Sequence, residues 1–234
     1  KASLGITTEQ YSWIVGAFQL AYTIFQPLCG WLIDVIGLKL GFMICATLWA
    51  LACIAHAGAG SWLHLAMLRF FMGGAEAAAT PANAKTIGEW FPKSERPIAA
   101  GWAGVGFSIG AMLAPPIIYF AHASFGWQGA FMFTGALALL WVVLWWAFYQ
   151  TPEKHPNLSK SELEYIKQDN EAPPVKQPFF TALKTVSKNK RFYGIAIPAF
   201  MAEPAWAVLS FWVPLYLAKE HGMDLKQIAM FASL

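Results

Sequence analysis

The sequence predicts an all-α membrane protein, for three reasons. Hydrophobic residues make up 57% of the 234 residues and charged residues only 12%, about half the charged fraction of a typical soluble domain. Stretches without Asp, Glu, Lys or Arg cover residues 10–33, 40–68, 97–152 and 204–218. These stretches lack the strict polar–apolar alternation of strands, and a spanning helix needs about 20 apolar residues. The composition therefore argues against a large soluble core.

Six membrane-spanning helices are predicted along the chain. They cover residues 10–33, 39–59, 63–90, 96–121, 127–149 and 191–218. The fourth and fifth share one long apolar stretch, and a turn between them is expected at the Ser-Phe-Gly-Trp sequence of residues 124–127.

Basic residues are concentrated in the connections that follow the first, third and fifth predicted spans. They are Lys39, Lys93, Arg96, Lys154, Lys160, Lys167, Lys176, Lys184, Lys188, Lys190 and Arg191. Because Lys and Arg are enriched on the cytoplasmic side of membrane helix bundles, this side is predicted to be cytoplasmic. The net charge of +3 is a consequence of that orientation, so membrane lipid is an expected partner and nucleic acid is not.

Residues 151–190 are predicted to form a cytoplasmic linker with a short surface helix. Prolines at 152, 173, 174 and 178 interrupt helices there, and Ser159–Glu162 has the spacing of a capping box. A calmodulin-like or lipid-specific role for this segment is the alternative to a plain linker.

The two ends of the sequence predict a piece of a longer membrane protein. Residues 1–6 have the pattern of a loop that leads into the first predicted span. Residues 224–231 have the pattern of a further helix, with Asp224 as its N-cap.

Four polar residues share one face of the third predicted span. Arg69 and Glu76 are seven residues apart, about 10 Å along a helix axis, and Thr80 and Asn83 continue the same stripe. Charges inside a membrane usually mark the pathway of a substrate or a proton. The alternatives are that Arg69 extends toward the interface and that Glu76 is a permanently paired structural carboxylate.

The loop after the first predicted span resembles the signature G-x-x-x-D-(R/K)-x-G-(R/K)-(R/K) of the major facilitator superfamily. The residues that match are Gly30, Asp34, Gly37 and Lys39. The sequence departs from the signature at Val35 and Leu38, where the family has basic residues. We therefore expect the ion-pair network that gates this loop in the family to be weaker here.

Other motifs narrow the resemblance to the anion:cation symporter branch. Arg69 and Glu76 match its R-x6-E arrangement, and Glu89-Trp90-Phe91-Pro92 ends the helix in the same way. The sequences at residues 74–78, 109–116, 202–206 and 228–232 are similar to those of bacterial hexuronate transporters.

This resemblance implies a major facilitator helix bundle, of which the visible spans would be helices two to seven of twelve. Residues 1–150 would then form the N-terminal bundle without its first helix, and residues 191–234 would begin the C-terminal bundle. The resemblance also implies import of a hexuronate, galacturonate or glucuronate, by proton symport across the bacterial inner membrane. A symporter for an aldonate and a passive facilitator are the alternatives, and no enzymatic activity, cofactor or metal is expected.

The resemblance and the side-chain chemistry together suggest roles for individual residues. The fork of Arg69 suits a substrate carboxylate, and Glu76 is the candidate proton carrier. Further substrate contacts are predicted for Tyr22, Gln26, Asn83, Glu203 and Trp206. Helix–helix hydrogen bonding is the alternative for Tyr22 and Gln26, and a second proton site or a structural contact is the alternative for Glu203.

Small residues in the predicted spans have structural interpretations. A glycine face on the fourth span is expected to pack closely against a neighbouring helix and to permit movement. It comprises Gly101, Gly104, Gly106 and Gly110. The three cysteines, Cys29, Cys45 and Cys53, are interpreted as small apolar residues.

Overall fold

The computed structural model describes residues 5–169 and 177–232, without the side chains of Glu203, Trp206, Leu225, Phe231 and Ala232. Every regular element in these ranges is a helix. The α-helices are α1 (Thr8–Ile36), α2 (Leu38–Ala55), α3 (Trp62–Glu76), α4 (Ala79–Trp90), α5 (Arg96–Phe148), α6 (Lys160–Ile166), α7 (Phe179–Lys188), α8 (Lys190–Ala207), α9 (Val213–Glu220) and α10 (Leu225–Ala232). Short 3₁₀ turns cover His56–Gly58 and Pro152–Lys154, and a π-helical segment covers Val208–Trp212.

Within the described residues, two segments are long and apolar enough by themselves to cross a membrane. They are Leu38–Gly58 and the 53-residue helix Arg96–Phe148. The second is twice the usual span length because it joins two helices across Gly126, whose φ of 71° and ψ of −179° are not helical. The turn predicted at residues 124–127 is thus confirmed, and the positive φ explains why a glycine occupies it.

The third predicted span is not one continuous helix. It divides into α3 and α4 at Ala77 and Ala78, both fully buried and both in the right-handed region. Pro81 explains the break, because proline has no N–H to donate to the carbonyl of Ala77 and its ring crowds that carbonyl. Arg69 and Glu76 therefore lie on α3, whereas Thr80 and Asn83 lie on α4, so the predicted single stripe is split between two helices.

The chain forms two compact units, Lys1–Ser108 with Ala121–Pro174 and Ile109–Phe120 with Val175–Leu234. Small and apolar residues form the core of the first unit. They are Cys29, Ile33, Leu38, Phe42, Cys45, Ala77, Ala78, Ala82 and Tyr149. The cysteines are buried and free.

Helices α1 and α3 approach each other closely at Gly73. A Cβ atom added there would lie 2.5 Å from the carbonyl oxygen of Phe18, which is closer than van der Waals contact permits. Gly73 therefore allows these two backbones to meet.

In the second unit, α8, the π-helical segment and α9 follow one another over the sixth predicted span. The π-helical segment ends at Trp212, two residues before Pro214, which cannot donate a backbone hydrogen bond. Helix α10 begins as predicted, because the backbone N–H of Gln227 donates to the Asp224 carboxylate over 2.7 Å.

The predicted close packing of the glycine face on α5 is not found in the part of the chain that the structure describes. A Cβ atom added at Gly101, Gly104, Gly106 or Gly110 would meet nothing within 4 Å.

Candidate substrate site

The guanidinium of Arg69 lies beside the ring of Phe18. Its central carbon is 5.9 Å from the ring centre, within the range of a cation–π interaction. Gly73, one turn along α3, brings the two helices close enough for this contact. Sequence analysis did not identify Phe18, although its position four residues before Tyr22 on α1 placed it on the same helical face.

Tyr22 connects α1 to the polar residues of α4. Its hydroxyl is 3.0 Å from the hydroxyl of Thr80, and its ring lies 5.9 Å from that of Phe18. Phe18 and Tyr22 therefore join Arg69 on α3 to Thr80 on α4. The structure brings together two of the predicted substrate residues, Arg69 and Tyr22, through an aromatic residue between them.

Glu76 occupies the last position of α3 and is partly buried. Within the described residues it does not form an ion pair with Arg69. Its predicted role as proton carrier stays a prediction.

Two other predicted site residues are partly buried on the first-unit helices. Gln26 lies one turn beyond Tyr22 on α1, and Asn83 lies one turn beyond Thr80 on α4. Their contact with a substrate stays a prediction. The side chains of Glu203 and Trp206 lie outside the described residues, so their roles stay predictions.

The signature loop is organised by a basic residue that sequence analysis missed. Lys85 on α4 donates to the Asp34 carboxylate over 2.6 Å and lies 3.5 Å from the carbonyl oxygen of Ile33. The expectation of a weaker gating network stays a prediction, and the structure adds that Asp34 has a basic partner, supplied by another helix. The signal for it was present, because a lysine inside an apolar span needs a partner.

Local structure explains why glycines occupy two positions of the signature loop. Gly37 has a φ of 92° at the turn between α1 and α2, a conformation that favours glycine. Gly30 lies against Pro81, whose Cβ would be 3.4 Å from an added Cβ. The backbone carbonyl of Lys39 accepts a hydrogen bond from the Trp145 indole over 3.2 Å. Their predicted role in gating stays a prediction.

Aromatic and acidic residues connect α4 to the end of α5. The hydroxyl of Tyr149 donates to Glu89 over 2.7 Å, and its ring stacks on that of Trp145 with 4.0 Å between centres. The ring of His155 meets the ring of Trp90 edge to face at 5.3 Å. The linker therefore begins in contact with the end of α4.

The surface helix α6 is bound to the loop between α4 and α5. Tyr165 donates to the Glu95 carboxylate over 2.6 Å, and Asp169 accepts from the backbone N–H of Lys93 over 2.6 Å. The capping box predicted at Ser159 and Glu162 is confirmed. The first half of the linker is thus attached to the first unit.

Two side chains of this attachment have shifted pKa values. The hydrogen bond from Lys167 lowers the pKa of the Glu153 carboxyl, with which it forms a 2.8 Å ion pair. The hydrogen bond to Glu95 raises the pKa of the Tyr165 hydroxyl, because a phenolate would face a carboxylate. Among the described residues, no group of three His, Cys, Asp or Glu side chains is placed to hold a metal ion.

Comparison with known proteins identifies the family. The profile of the Major Facilitator Superfamily matches residues 1–234. The chain is 46% identical to the hexuronate transporter of Escherichia coli K12, over 98% of this chain and 53% of that protein. It is also 46% identical to the galacturonate transporter of Dickeya chrysanthemi, over 98% of this chain and 67% of that protein. The chain thus spans about half the length of the E. coli relative.

A solved structure agrees with the fold. The chain superposes on a bacterial homologue of the human lysosomal transporter Spinster, in an inward-facing and occupied conformation, with a TM-score of 0.68 and 18% identity. The match covers 99% of this chain and 52% of that one. These findings confirm the predicted fold class and the predicted resemblance, and they identify a transporter family and not an enzyme family. The chain belongs to the Major Facilitator Superfamily.

Proposed function

We propose that the chain is part of a symporter that imports a hexuronate, galacturonate or glucuronate, together with a proton by alternating access. The observation that carries the proposal is the placement of Arg69 against Phe18 where α1 and α3 meet at Gly73. A partly buried guanidinium at that position suits capture of an organic anion. The names of the relatives that are 46% identical, hexuronate and galacturonate transporters, support the substrate class.

Arg69 binds the substrate carboxylate in this proposal. A guanidinium beside an aromatic ring still presents its N–H groups at its edge, where two of them can engage both carboxylate oxygens. The hydroxyls of Tyr22 and Thr80, 3.0 Å apart, and the amides of Gln26 and Asn83 are the candidate partners for the sugar hydroxyls. Glu203 and Trp206 are proposed to contribute from the second bundle.

Glu76 carries the proton. A carrier can change between its outward and inward orientations more easily when a carboxyl inside the membrane is neutral. Glu76 is therefore protonated from outside, supports reorientation of the loaded carrier, and releases its proton inside. The carrier lies in the bacterial inner membrane, residues 1–150 and 191–234 belong to its two bundles, and residues 151–190 connect them on the cytoplasmic side.

The experiment is uptake of radiolabelled galacturonate and glucuronate by the full-length parent protein in proteoliposomes, with and without an inward proton gradient. Accumulation above equilibrium that depends on the gradient supports symport. Equilibration without accumulation supports a passive facilitator instead. Competition by an unlabelled aldonate that exceeds competition by either hexuronate identifies the aldonate as the better substrate.

Variants of Arg69 and Glu76 test the residue roles. Arg69→Lys keeps the charge and removes the fork, so we expect weak binding, whereas the matched change Arg191→Lys at the start of α8 leaves uptake unchanged. Glu76→Gln imitates the protonated carboxyl, so we expect exchange of substrate without accumulation driven by protons. Substrate binding that survives Arg69→Lys, or accumulation that survives Glu76→Gln, contradicts the corresponding role.

A further inference from the structure

Helix α7 has one apolar and one polar face. Phe179, Ala182, Leu183 and Val186 follow helical spacing on the apolar face, with Phe180 at its edge. The polar face carries Thr181, Lys184, Thr185 and Lys188 at the same spacing. The side chains of Phe180, Leu183 and Val186 are 80%, 46% and 46% exposed. Because an isolated ten-residue helix is marginal in water, such a face needs an apolar environment.

The junction between α7 and α8 is short and fixed. Asn189 is the residue between the two helices, and its side chain caps α8 by accepting from the backbone N–H of Arg191 over 3.0 Å. The hydroxyl of Tyr193 in the first turn of α8 donates to the carbonyl of Ser187 in α7 over 2.9 Å. Since α8 begins the sixth predicted span, α7 ends where the chain enters the bilayer.

The residues around this junction match the composition of a membrane interface. Phe192 and Tyr193 form an edge-to-face pair at 5.3 Å, and aromatic residues are enriched at the level of lipid headgroups. Lys184, Lys188, Lys190 and Arg191 lie within eight positions, and no acidic residue occurs between Glu171 and Glu203. A cluster of this kind next to a spanning helix is typical of segments that bind anionic lipids.

We propose that α7 is an interfacial helix that binds the anionic phospholipid surface of the cytoplasmic leaflet. Its apolar face enters the boundary between headgroups and acyl chains, and its two lysines, with Lys190 and Arg191, contact the headgroup phosphates. The helix thereby fixes the entry of α8 into the second bundle to the plane of the membrane. This proposal is independent of the substrate of the carrier.

Spin labels on the two faces of α7 test where the helix lies. Leu183→Cys on the apolar face and Thr181→Cys on the polar face are introduced separately into the full-length carrier, which is reconstituted in phosphatidylcholine with or without phosphatidylglycerol. Cys29, Cys45 and Cys53 are buried, and the parent protein without an added cysteine is labelled in parallel to measure background. In vesicles with phosphatidylglycerol, we expect the label at 183 to be accessible to oxygen, which concentrates in lipid, and the label at 181 to be accessible to a water-soluble nickel chelate.

Charge variants test the lipid headgroup. Lys184→Gln with Lys188→Gln removes two charges from α7. We expect the ratio of inserted to detached α7, read from the accessibility of the label on the apolar face, to fall by about fivefold per lysine. The matched control, Lys154→Gln with Lys160→Gln, removes two exposed charges from the first half of the linker, and we expect no change in partition.

Three outcomes would overturn the proposal. A label at 183 that neither reagent reaches means that protein covers the apolar face. A label at 183 that the nickel chelate reaches in anionic vesicles means that the face stays in water. Insertion that inorganic phosphate induces in phosphatidylcholine vesicles means that the basic cluster binds free phosphate and not a lipid surface.

Discussion

Lys85 on α4 forms an ion pair of 2.6 Å with Asp34 near the C-terminal end of α1. The loop that follows Asp34 has Val35 and Leu38 where the superfamily signature has basic residues. The ammonium also lies 3.5 Å from the carbonyl of Ile33, so it meets the negative end of the α1 dipole as well as a carboxylate. A cation from a neighbouring helix therefore balances Asp34 in this chain.

Breaking this pair is expected to impair transport more than stability. The side chain of Asp34 is 56% exposed and that of Lys85 is 20% exposed. We expect Lys85→Met and Asp34→Asn each to lower the initial rate of uptake several-fold. Lys85→Met leaves an exposed carboxylate, so it should change the melting temperature of the purified carrier little, whereas Asp34→Asn leaves a mostly buried ammonium without its carboxylate and should lower the melting temperature more.

The charge-reversed double variant, Asp34→Lys with Lys85→Asp, tests whether the pair acts as a unit. We expect it to recover part of the uptake lost in the single variants, although the lysine no longer meets the end of α1. Full uptake by Lys85→Met would show that the pair has no part in transport. The exposed pair of Glu153 and Lys167 is the control, since its loss leaves the signature loop intact.

The close approach of α1 and α3 predicts a difference between two adjacent glycines. An added Cβ at Gly73 would lie 2.5 Å from the Phe18 carbonyl oxygen, whereas one at Gly74 would lie 3.4 Å from the Phe25 ring. We expect Gly73→Ala to destabilise the carrier by about 1–3 kcal/mol and to separate Arg69 from Phe18. Gly74→Ala should change the melting temperature little. Thermal unfolding of both variants in detergent checks this, and equal melting temperatures would contradict the packing.

The contact between Arg69 and Phe18 predicts a dependence on the aromatic ring. Phe18→Leu removes the ring while keeping an apolar side chain, and a cation–π contact contributes about 0.5–1 kcal/mol at a partly exposed site. If Arg69 binds the substrate, KM for hexuronate should rise about two- to fivefold, and Phe18→Tyr should restore it. A Phe18→Leu variant whose KM matches the parent would show that the ring does not position Arg69.

The sequence was sufficient for features with a strong local signal. The two apolar helices of α5 and the turn at Gly126 follow from a charge-free stretch with a glycine at its middle. The caps at Ser159 and Asp224 follow from short-range hydrogen-bonding patterns. These features depend on nearby residues, so periodicity and capping rules describe them.

Features that depend on contacts between helices could not be predicted in the same way. Pro81 was visible, but whether a membrane helix bends or breaks at a proline depends on the helices around it. Lys85 was passed over because its partner, Asp34, is 51 residues away. Phe18 has no polar side-chain atom, and it became a candidate site residue only through its contact with Arg69 on another helix. The candidate site was therefore predicted as separate residues, and their neighbours came from the structure.

The hydrogen bonds and the ion pair of α6 predict that the helix is attached only between an acidic and an alkaline pH limit. The folded pKa of Glu153 lies below the ordinary 4.5, so the contribution of its ion pair with Lys167 is present above pH 4.5 and is lost as the pH falls through the folded value. The folded pKa of Tyr165 lies above the ordinary 10.0, so the contribution of its hydrogen bond to Glu95 is complete below pH 10.0 and is lost as the pH rises through the folded value. We expect α6 to stay attached between these limits.

A spin label at Glu164→Cys, on exposed α6, measures this attachment in the full-length carrier. Its mobility should be low at neutral pH and should rise at both extremes. Tyr165→Phe should raise the mobility at neutral pH and abolish the alkaline transition, since the group that titrates is gone. Glu153→Gln should likewise raise the mobility at neutral pH, and it should abolish the part of the acid transition that depends on the ion pair with Lys167. If the label is mobile at neutral pH in the parent protein, or if neither variant alters its transition, α6 is not held by these bonds.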